Sequence, residues 1–294
     1  MTRPYDPDLL DSLVRRKLRG YREKAGMTQL QAALAMDWSV SKMIRIEQAT
    51  VGLTTADLKA TLAAYGVTDA AELAKMIAMA KQSRAQPWHA PYAEVIGQPF
   101  RRMLAYESAA THIREFDPLF IPGLFQTEDY ARATVETVHQ DRAKVELAVS
   151  ARLQRQREVL GDGKPKITTI LDEAAIRRVV GGPAAMARQL GHLIDTAADP
   201  DVTLLVVPFA KGAHIGMAGP FMLLDLEPEI GIETVLFVEN LGRDYVTNDD
   251  SQTVSEYWDR FFAIEKLTLS ESDSLGLLKL VYDDIARQGR TAGR

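Results

Sequence analysis

The first third of the chain is dominated by helical periodicity. Between Leu9 and Lys24 the apolar residues Leu10, Leu13, Val14, Leu18 and Tyr21 recur on one stripe, and Gly26 supplies a left-handed stop. Two short helices joined by a tight turn follow. Thr28 caps the first, and Gln31, three residues on, completes a Thr-x-x-Gln capping box. Leu30, Ala33 and Leu34 fall on its apolar spacing, with Ala33 small enough to admit a close crossing. Asp37-Trp38 breaks the run, and Ser39 caps a helix reaching Gln48 that buries Met43 and Ile46. Ser41, Lys42 and Arg45 are left facing out, short polar and basic groups suited to base edges and phosphates. Gln48–Leu53 reads as a loop. Thr54 caps a helix over Thr55–Tyr65, closed by Gly66. Asp69–Arg84 predicts a fifth helix, with Leu73, Met76, Ile77 and Ala80 on one face.

The pattern changes after Gln86–Pro91, a short run with two prolines that marks a linker. The organisation read from this is a head over 1–85, a linker over 86–91 and a second domain over 92–294. The second domain opens on a helix expected near Gly97–Asp117, its inner face holding Phe100, Leu104, Glu107 and Thr111. Prolines and glycine force an irregular apolar loop over Pro118–Ala133 until Thr127 or Glu128 starts a helix. Lys144–Leu160 predicts a long charged helix containing Arg152 and Arg155. Strands are predicted at Lys166–Leu171, Val202–Val207, Phe221–Leu226 and Thr234–Val238, with Asp244–Thr247 a further candidate. Helices are predicted at Asp172–Val180, Ala184–Ala197, Gln252–Ile264 and Ser270–Ala286, the last with an apolar face that serves either a dimer interface or the core. The fold expected is mainly α: a five-helix head, then a helix-rich α+β second domain with a small β-sheet rather than a regular βαβ alternation.

Composition sharpens this division. The chain of 294 residues is long enough for two cores and carries a formal charge of −5. The charge is uneven: residues 1–85 hold 13 Lys and Arg against 9 Asp and Glu, a net +4, and the remainder holds 22 against 31, a net −9. A basic head on an acidic body fits DNA binding confined to the head. The chain contains no cysteine, which excludes disulfides and thiolate metal sites. With no apolar stretch of signal-peptide or membrane-spanning length, a cytoplasmic, nucleoid-associated protein is expected, without membrane partners.

The residues from Leu13 to Val67 resemble the helix-turn-helix domain of XRE/lambda-repressor-like regulators. The resemblance is carried by Gly26-Met-Thr-Gln29, by Trp38-Ser39-x-Ser41-Lys42 and by Arg45-Ile46-Glu47. It implies five helices with Ser39–Gln48 as the recognition helix. Gln29 would lie near a phosphate and Ser39, Ser41, Lys42 and Arg45 at the groove. Glu47 would pair with Arg22 as a structural salt bridge. Asp37 stands where the family usually has glycine, and aspartate tolerates the left-handed conformation better than most residues. Double-stranded DNA bearing a palindromic operator, and a homodimer to match it, are the partners implied.

From Tyr92 onward the chain resembles the domain fused to such heads in actinobacterial WhiJ-like regulators. The matching runs are Ile121-Pro-Gly-Leu-Phe-Gln-Thr127 with Asp129-Tyr130-Ala131, Arg152-x-x-Arg155-Gln156, and Leu171-Asp-Glu-Ala174. They continue with Gly181-Gly-Pro183, Val207-Pro-Phe-Ala-x-Gly-Ala-His214, Gly219-Pro-Phe221 and Glu239. The resemblance implies an architecture and a regulatory setting, and the reading that follows is a DNA-binding transcriptional regulator whose second domain senses a small-molecule ligand or a partner and supports dimerisation. Its alternative is an antitoxin-like protein that sequesters a small neighbour-encoded partner and regulates its own synthesis. No catalytic constellation stands out, so no enzymatic activity and no cofactor are expected. Gly161-Asp-Gly-Lys164 lacks the frame of a phosphate-binding loop. His89, His112, His139, His192 and His214 are scattered without metal-binding helical spacing, so no metal is expected. Glu107 on an inward helix face calls for a buried arginine partner, Arg152 or Arg155. Together with His214 in a glycine-rich loop, these residues are the candidate ligand or partner site.

Overall fold

The computed structural model describes residues 3–240 and 244–292. These divide into two compact units, Tyr5–Ala90 and Pro91–Arg294 with Met1–Pro4.

The first unit holds five helices: α1 (Pro7–Lys24), α2 (Gln29–Ala35), α3 (Val40–Glu47), α4 (Thr55–Ala64) and α5 (Ala70–Gln82). Each has a side-chain N-cap, from Asp6, Thr28, Ser39, Thr54 and Asp69, which satisfies a backbone N–H that helix geometry leaves unpaired. The capping box at Thr28 is closed both ways, Thr28 accepting from the Gln31 N–H and the Gln31 side chain accepting from the Thr28 N–H. Val14 and Leu18 of α1 pack with Ile46, Leu53, Leu58, Leu62, Met76 and Ala80 in the main core. A second cluster joins Ala32 and Ala33 to Met43 and Tyr65.

This second cluster corrects one expectation. Leu30 and Leu34 do not face inward; they are 54% and 70% exposed, while Ala32 and Ala33 are fully buried. The crossing with α3 selects small side chains, because a leucine at the contact would hold the two backbones apart. Both ends of the helix pair are closed by left-handed residues. Asp37 has φ 54°, with the N–H of Trp38 donating to Ala33 O and that of Asp37 to Leu34 O. Ala49 repeats the arrangement after α3 with φ 56°, the N–H of Thr50 donating to Arg45 O and that of Ala49 to Ile46 O. These are Schellman caps built without glycine.

The second unit is built on a six-stranded sheet in the order β3-β2-β1-β4-β5-β6. In chain order its elements are α6 (Gln98–Glu107), β1 (Ala110–Asp117), α7 (Glu128–Val135), α8 (Arg142–Leu160), β2 (Lys166–Asp172), α9 (Glu173–Arg177), α10 (Pro183–Thr196) and β3 (Val202–Val207). There follow β4 (Phe221–Leu226), β5 (Thr234–Val238), β6 (Tyr245–Thr247), α11 (Ser251–Glu265) and α12 (Glu271–Ala292). The expected long helix over Gly97–Asp117 is therefore wrong in its second half. It stops at Glu107, and Ala110–Asp117 forms the central strand. Thr111, placed on an inner helix face, is an exposed strand residue. Ala110, Ile113 and Phe116 fall at every third position and so continue the helical spacing of the preceding residues, and only the β-branched Thr111 and Ile113 with the aromatic Phe116 favour a strand.

β1 pairs in parallel with β2, and β2 in parallel with β3, through helical crossovers; β4, β5 and β6 continue as an antiparallel meander from the other side of β1. Phe116, Ile170, Leu205, Leu223, Leu236 and Val238 form one apolar face, closed by Phe261 and Ile264 of α11. On the opposite face Phe237 meets Phe100 of α6 edge to face, their centroids 5.7 Å apart. α12 packs along α10 with Leu278, Val281 and Ile285 buried, so its apolar face is core. No helix among the described residues is long and apolar enough to cross a membrane.

Candidate nucleic-acid interface

The outward face of α3 is built by the same spacing that buries its inner face. With Met43 and Ile46 buried, Ser41 and Arg45 stand exposed and Lys42 half-buried. Ser39 sits at the N-cap, its hydroxyl accepting from the Lys42 N–H at 3.1 Å. Arg45 leans back along the helix, its Nε donating to Ser41 O at 3.2 Å. Lys42 is held more firmly than spacing implies: its ammonium lies 3.8 Å from the Trp38 ring centroid and 3.6 Å from Asp57. Trp38 and Asp57 are thus two residues of this face that periodicity did not reveal, because Trp38 lies in the turn ahead of α3 and Asp57 on α4. Arg45 carries the freer charge, and Lys42 must leave an aromatic shelf to reach a phosphate.

Beneath this face lies the ion pair expected between Arg22 and Glu47. Arg22 Nε donates to Glu47 Oε1 at 2.6 Å, and its Nη2 to Oε2 at 3.2 Å. Arg22 Nη1 donates to Met27 O at 2.8 Å, tying the turn before α2 to α1. Hydrogen bonding to Glu47 holds the Arg22 guanidinium above its ordinary pKa. Gln29 joins the same carboxylate, donating to Glu47 Oε2 at 2.8 Å. Its side-chain amide therefore serves the fold of the pair, with one N–H remaining for a phosphate.

In the second unit Glu107 and Arg155 meet in a bidentate pair, at 2.6 and 2.9 Å, with both side chains buried. Arg152 does not share it. It donates to Gln126 Oε1 at 2.5 Å and Thr134 Oγ1 at 3.0 Å, which secures the loop before α7. Gly123 lies against both arginines: a Cβ there would stand 3.4 Å from Arg155 Nη1 and 3.8 Å from Arg152 Nε. Gln156 donates to Gly123 O and Gln126 O, and Gln189 to Phe125 O, so glutamines bind the irregular loop from two helices. His214 is apart from this group. Its Nε2 is 3.0 Å from Asp172 Oδ2, and Phe116 meets its ring edge on. Gly216 is required beside it, since a Cβ would lie 2.6 Å from the Phe116 ring. The four residues singled out thus fall into a buried ion pair, a loop anchor and a histidine–aspartate contact.

Sequence spacing missed two carboxyls on β1, Glu115 buried and Asp117 half-buried. Glu115 accepts a hydrogen bond from Thr169 Oγ1 at 2.7 Å, and burial pushes its carboxyl up to about 7. Burial pushes Asp117 up to about 6, although the N–H groups of Leu119 and Phe120 donate to it. Both lay inside the segment read as a helix.

Residues 14–76 match a helix-turn-helix domain, the DNA-binding type whose second helix here is α3. No curated protein and no solved structure matches the chain. Residues 100–280, which span the entire sheet and its crossovers, match a domain of unknown function, DUF5753. That match covers most of the chain, which therefore belongs to the DUF5753 family and carries its family domain behind a helix-turn-helix head.

Proposed function

We propose that the chain is a sequence-specific transcriptional regulator of the XRE/lambda-repressor-like kind, with a WhiJ-like second domain that senses a ligand or partner and supports dimerisation. The observation that carries the reading is the face of α3. Ser39, Ser41, Lys42 and Arg45 share one side of a capped helix whose other side is locked into the core, and Gln29 stands at the start of the helix before it. A two-fold dimer reading a palindrome places two such helices in successive major grooves. Genome-wide binding sites give the operator. On that operator, Arg45→Ala costs about 1–3 kcal/mol of specific affinity with the melting curve unchanged. Unchanged affinity overturns the assignment, and a monomer in sedimentation of the full chain overturns dimerisation.

A second reading, an antitoxin-like role toward a small neighbour-encoded protein, is favoured by one feature. Leu119 and Phe120 follow β1, and Phe209, Ile215 and Met217 follow β3; all five are exposed. Because β1 and β3 run in the same direction, their loops leave the same end of the sheet. Exposed apolar groups gathered at one end suit a protein partner. Co-expression with that neighbour and gel filtration test this: a complex lost on Phe120→Asp supports it, and absence of a complex removes it.

A further inference from the structure

Asp6, Asp8 and His89 come together from opposite ends of the Tyr5–Ala90 unit. Asp6 caps α1, its Oδ1 accepting from the Asp8 N–H at 2.9 Å, and so its carboxylate is fixed at the helix start. Asp8 lies in the first turn, with its side chain exposed. His89 is brought to them by the turn in which the Ala90 N–H donates to Pro87 O, and Trp88 meets its ring edge on at 5.6 Å. The imidazole is 1% exposed, yet neither ring nitrogen makes a hydrogen bond. Its Nε2 lies 3.3 Å from Asp6 Oδ2 and 3.8 Å from Asp8 Oδ2, and the three donor atoms are all within 4.8 Å of one another.

A buried polar nitrogen without a hydrogen bond is costly, and carboxylates facing it at these distances are not spaced as hydrogen-bond partners. Donors about 2.1 Å from a single cation, at tetrahedral or octahedral angles, lie about 3.0–3.5 Å apart. His89 and Asp6, at 3.3 Å, stand at that spacing, and Asp8, at 3.8 Å from His89 and exposed, reaches it by a small side-chain rotation. We propose that Asp6, Asp8 and His89 form a binding site for a divalent transition-metal cation, with zinc the ion that one imidazole and two carboxylates fit. Three protein ligands leave a fourth position to water, on the side where Asp8 reaches solvent. Magnesium and calcium are disfavoured, since they select all-oxygen shells. The bound ion cross-links the start of α1 to the last residues of the head, and so closes the unit at both ends. The spacing search missed it because its ligands are drawn from two segments far apart in sequence. The site is independent of the face of α3.

The test uses the full-length protein, stripped with chelator, desalted and titrated with zinc chloride by calorimetry at pH 7.5, with magnesium chloride in parallel. One zinc per chain and no magnesium heat are expected. Asp8→Asn weakens zinc at least tenfold, His89→Ala abolishes stoichiometric binding, and zinc raises the melting temperature of the unmodified chain only. Should His89→Ala fail to fold by circular dichroism, Asp8→Asn decides alone. Absence of stoichiometric zinc binding, or binding undiminished in either folded variant, overturns the proposal.

Discussion

Replacing Glu47 with alanine separates a structural role from a DNA-contacting one, because the residue lies on the helix proposed to read the groove. Glu47 accepts three hydrogen bonds, two from Arg22 and one from Gln29, at 2.6, 3.2 and 2.8 Å. The side chains of the ion pair are only 8% and 6% exposed, so the alanine variant leaves a guanidinium with little water to replace its partner. Breaking such a pair from one side costs about 3–5 kcal/mol, and the Arg22 bond to Met27 O offsets little of it. In a unit of this size each kcal/mol lowers the melting temperature by about 4–8 °C, so a fall of about 12 °C or more is expected. The two units need not unfold together, so the assay must resolve the head. Trp38 and Trp88 lie in it and Trp258 in the other unit; circular dichroism and tryptophan fluorescence melts, paired with operator titration below the transition, make the distinction. Glu47→Gln, which keeps an acceptor but no charge, falls between. A Glu47→Ala protein melting within about 2 °C of the parent, yet unable to bind the operator, would refute the reasoning and make Glu47 a contact residue.

The second unit offers a parallel case: Glu107→Ala strands the buried Arg155, and at about 2–4 °C per kcal/mol the unit's melting temperature falls by about 10 °C. Glu107→Leu combined with Arg155→Met recovers most of that loss, and a fall below about 1 °C in the single variant refutes the pair's role. Glu115 sets a pH dependence. Its carboxyl keeps its proton in the folded chain up to about pH 7. The unfolded chain releases that proton near about pH 4.3, so this group's contribution is fullest below about 4.3 and declines by roughly 3 kcal/mol as the pH rises to 7. Glu115→Gln flattens that slope in denaturant titrations from pH 4.5 to 8, and an unaltered slope overturns the assignment. Ala49→Gly relieves a left-handed alanine just beyond α3 and raises head stability by about 0.5–1 kcal/mol, with operator affinity unchanged. A lower melting temperature for it contradicts the cap.

The head was largely legible because its signals are local. Caps at Thr28 and Ser39, the burial of Met43 and Ile46, and the left-handed turn at Asp37 each follow from a few neighbouring residues. Where partners come from elsewhere, local reading failed. Leu30 and Leu34 count as apolar on any scale, but the α2–α3 crossing is decided by the size of Ala32 and Ala33. Asp57 became visible as a partner of Lys42 only after α4 was placed beside α3, and the Trp38 shelf only once the turn ahead of α3 was placed. In the second unit a short helix abuts a strand with no proline or glycine between them, and β1 was lost to the preceding periodicity. Its loss concealed Glu115 and Asp117 as well. The pairing of Glu107 was legible as a need for a cation, and only packing chooses Arg155 over Arg152.

The central position of β1 has a consequence for the order in which the chain takes shape. Its neighbours are β2 and β4, and the contact between Arg114 and Asp225 spans 111 residues. Closing such separations is slow, and nothing in the sheet is complete while its middle strand lacks one edge. The head, by contrast, closes within its own five helices. On a ribosome it folds first, while β1 waits with one or both edges unpaired until Phe221–Leu226 has emerged. A nascent chain halted between the two stages presents a DNA-reading head attached to an unfinished, aggregation-prone sheet. Pauses in translation before β4 are therefore the stage at which this chain is expected to be most exposed to aggregation.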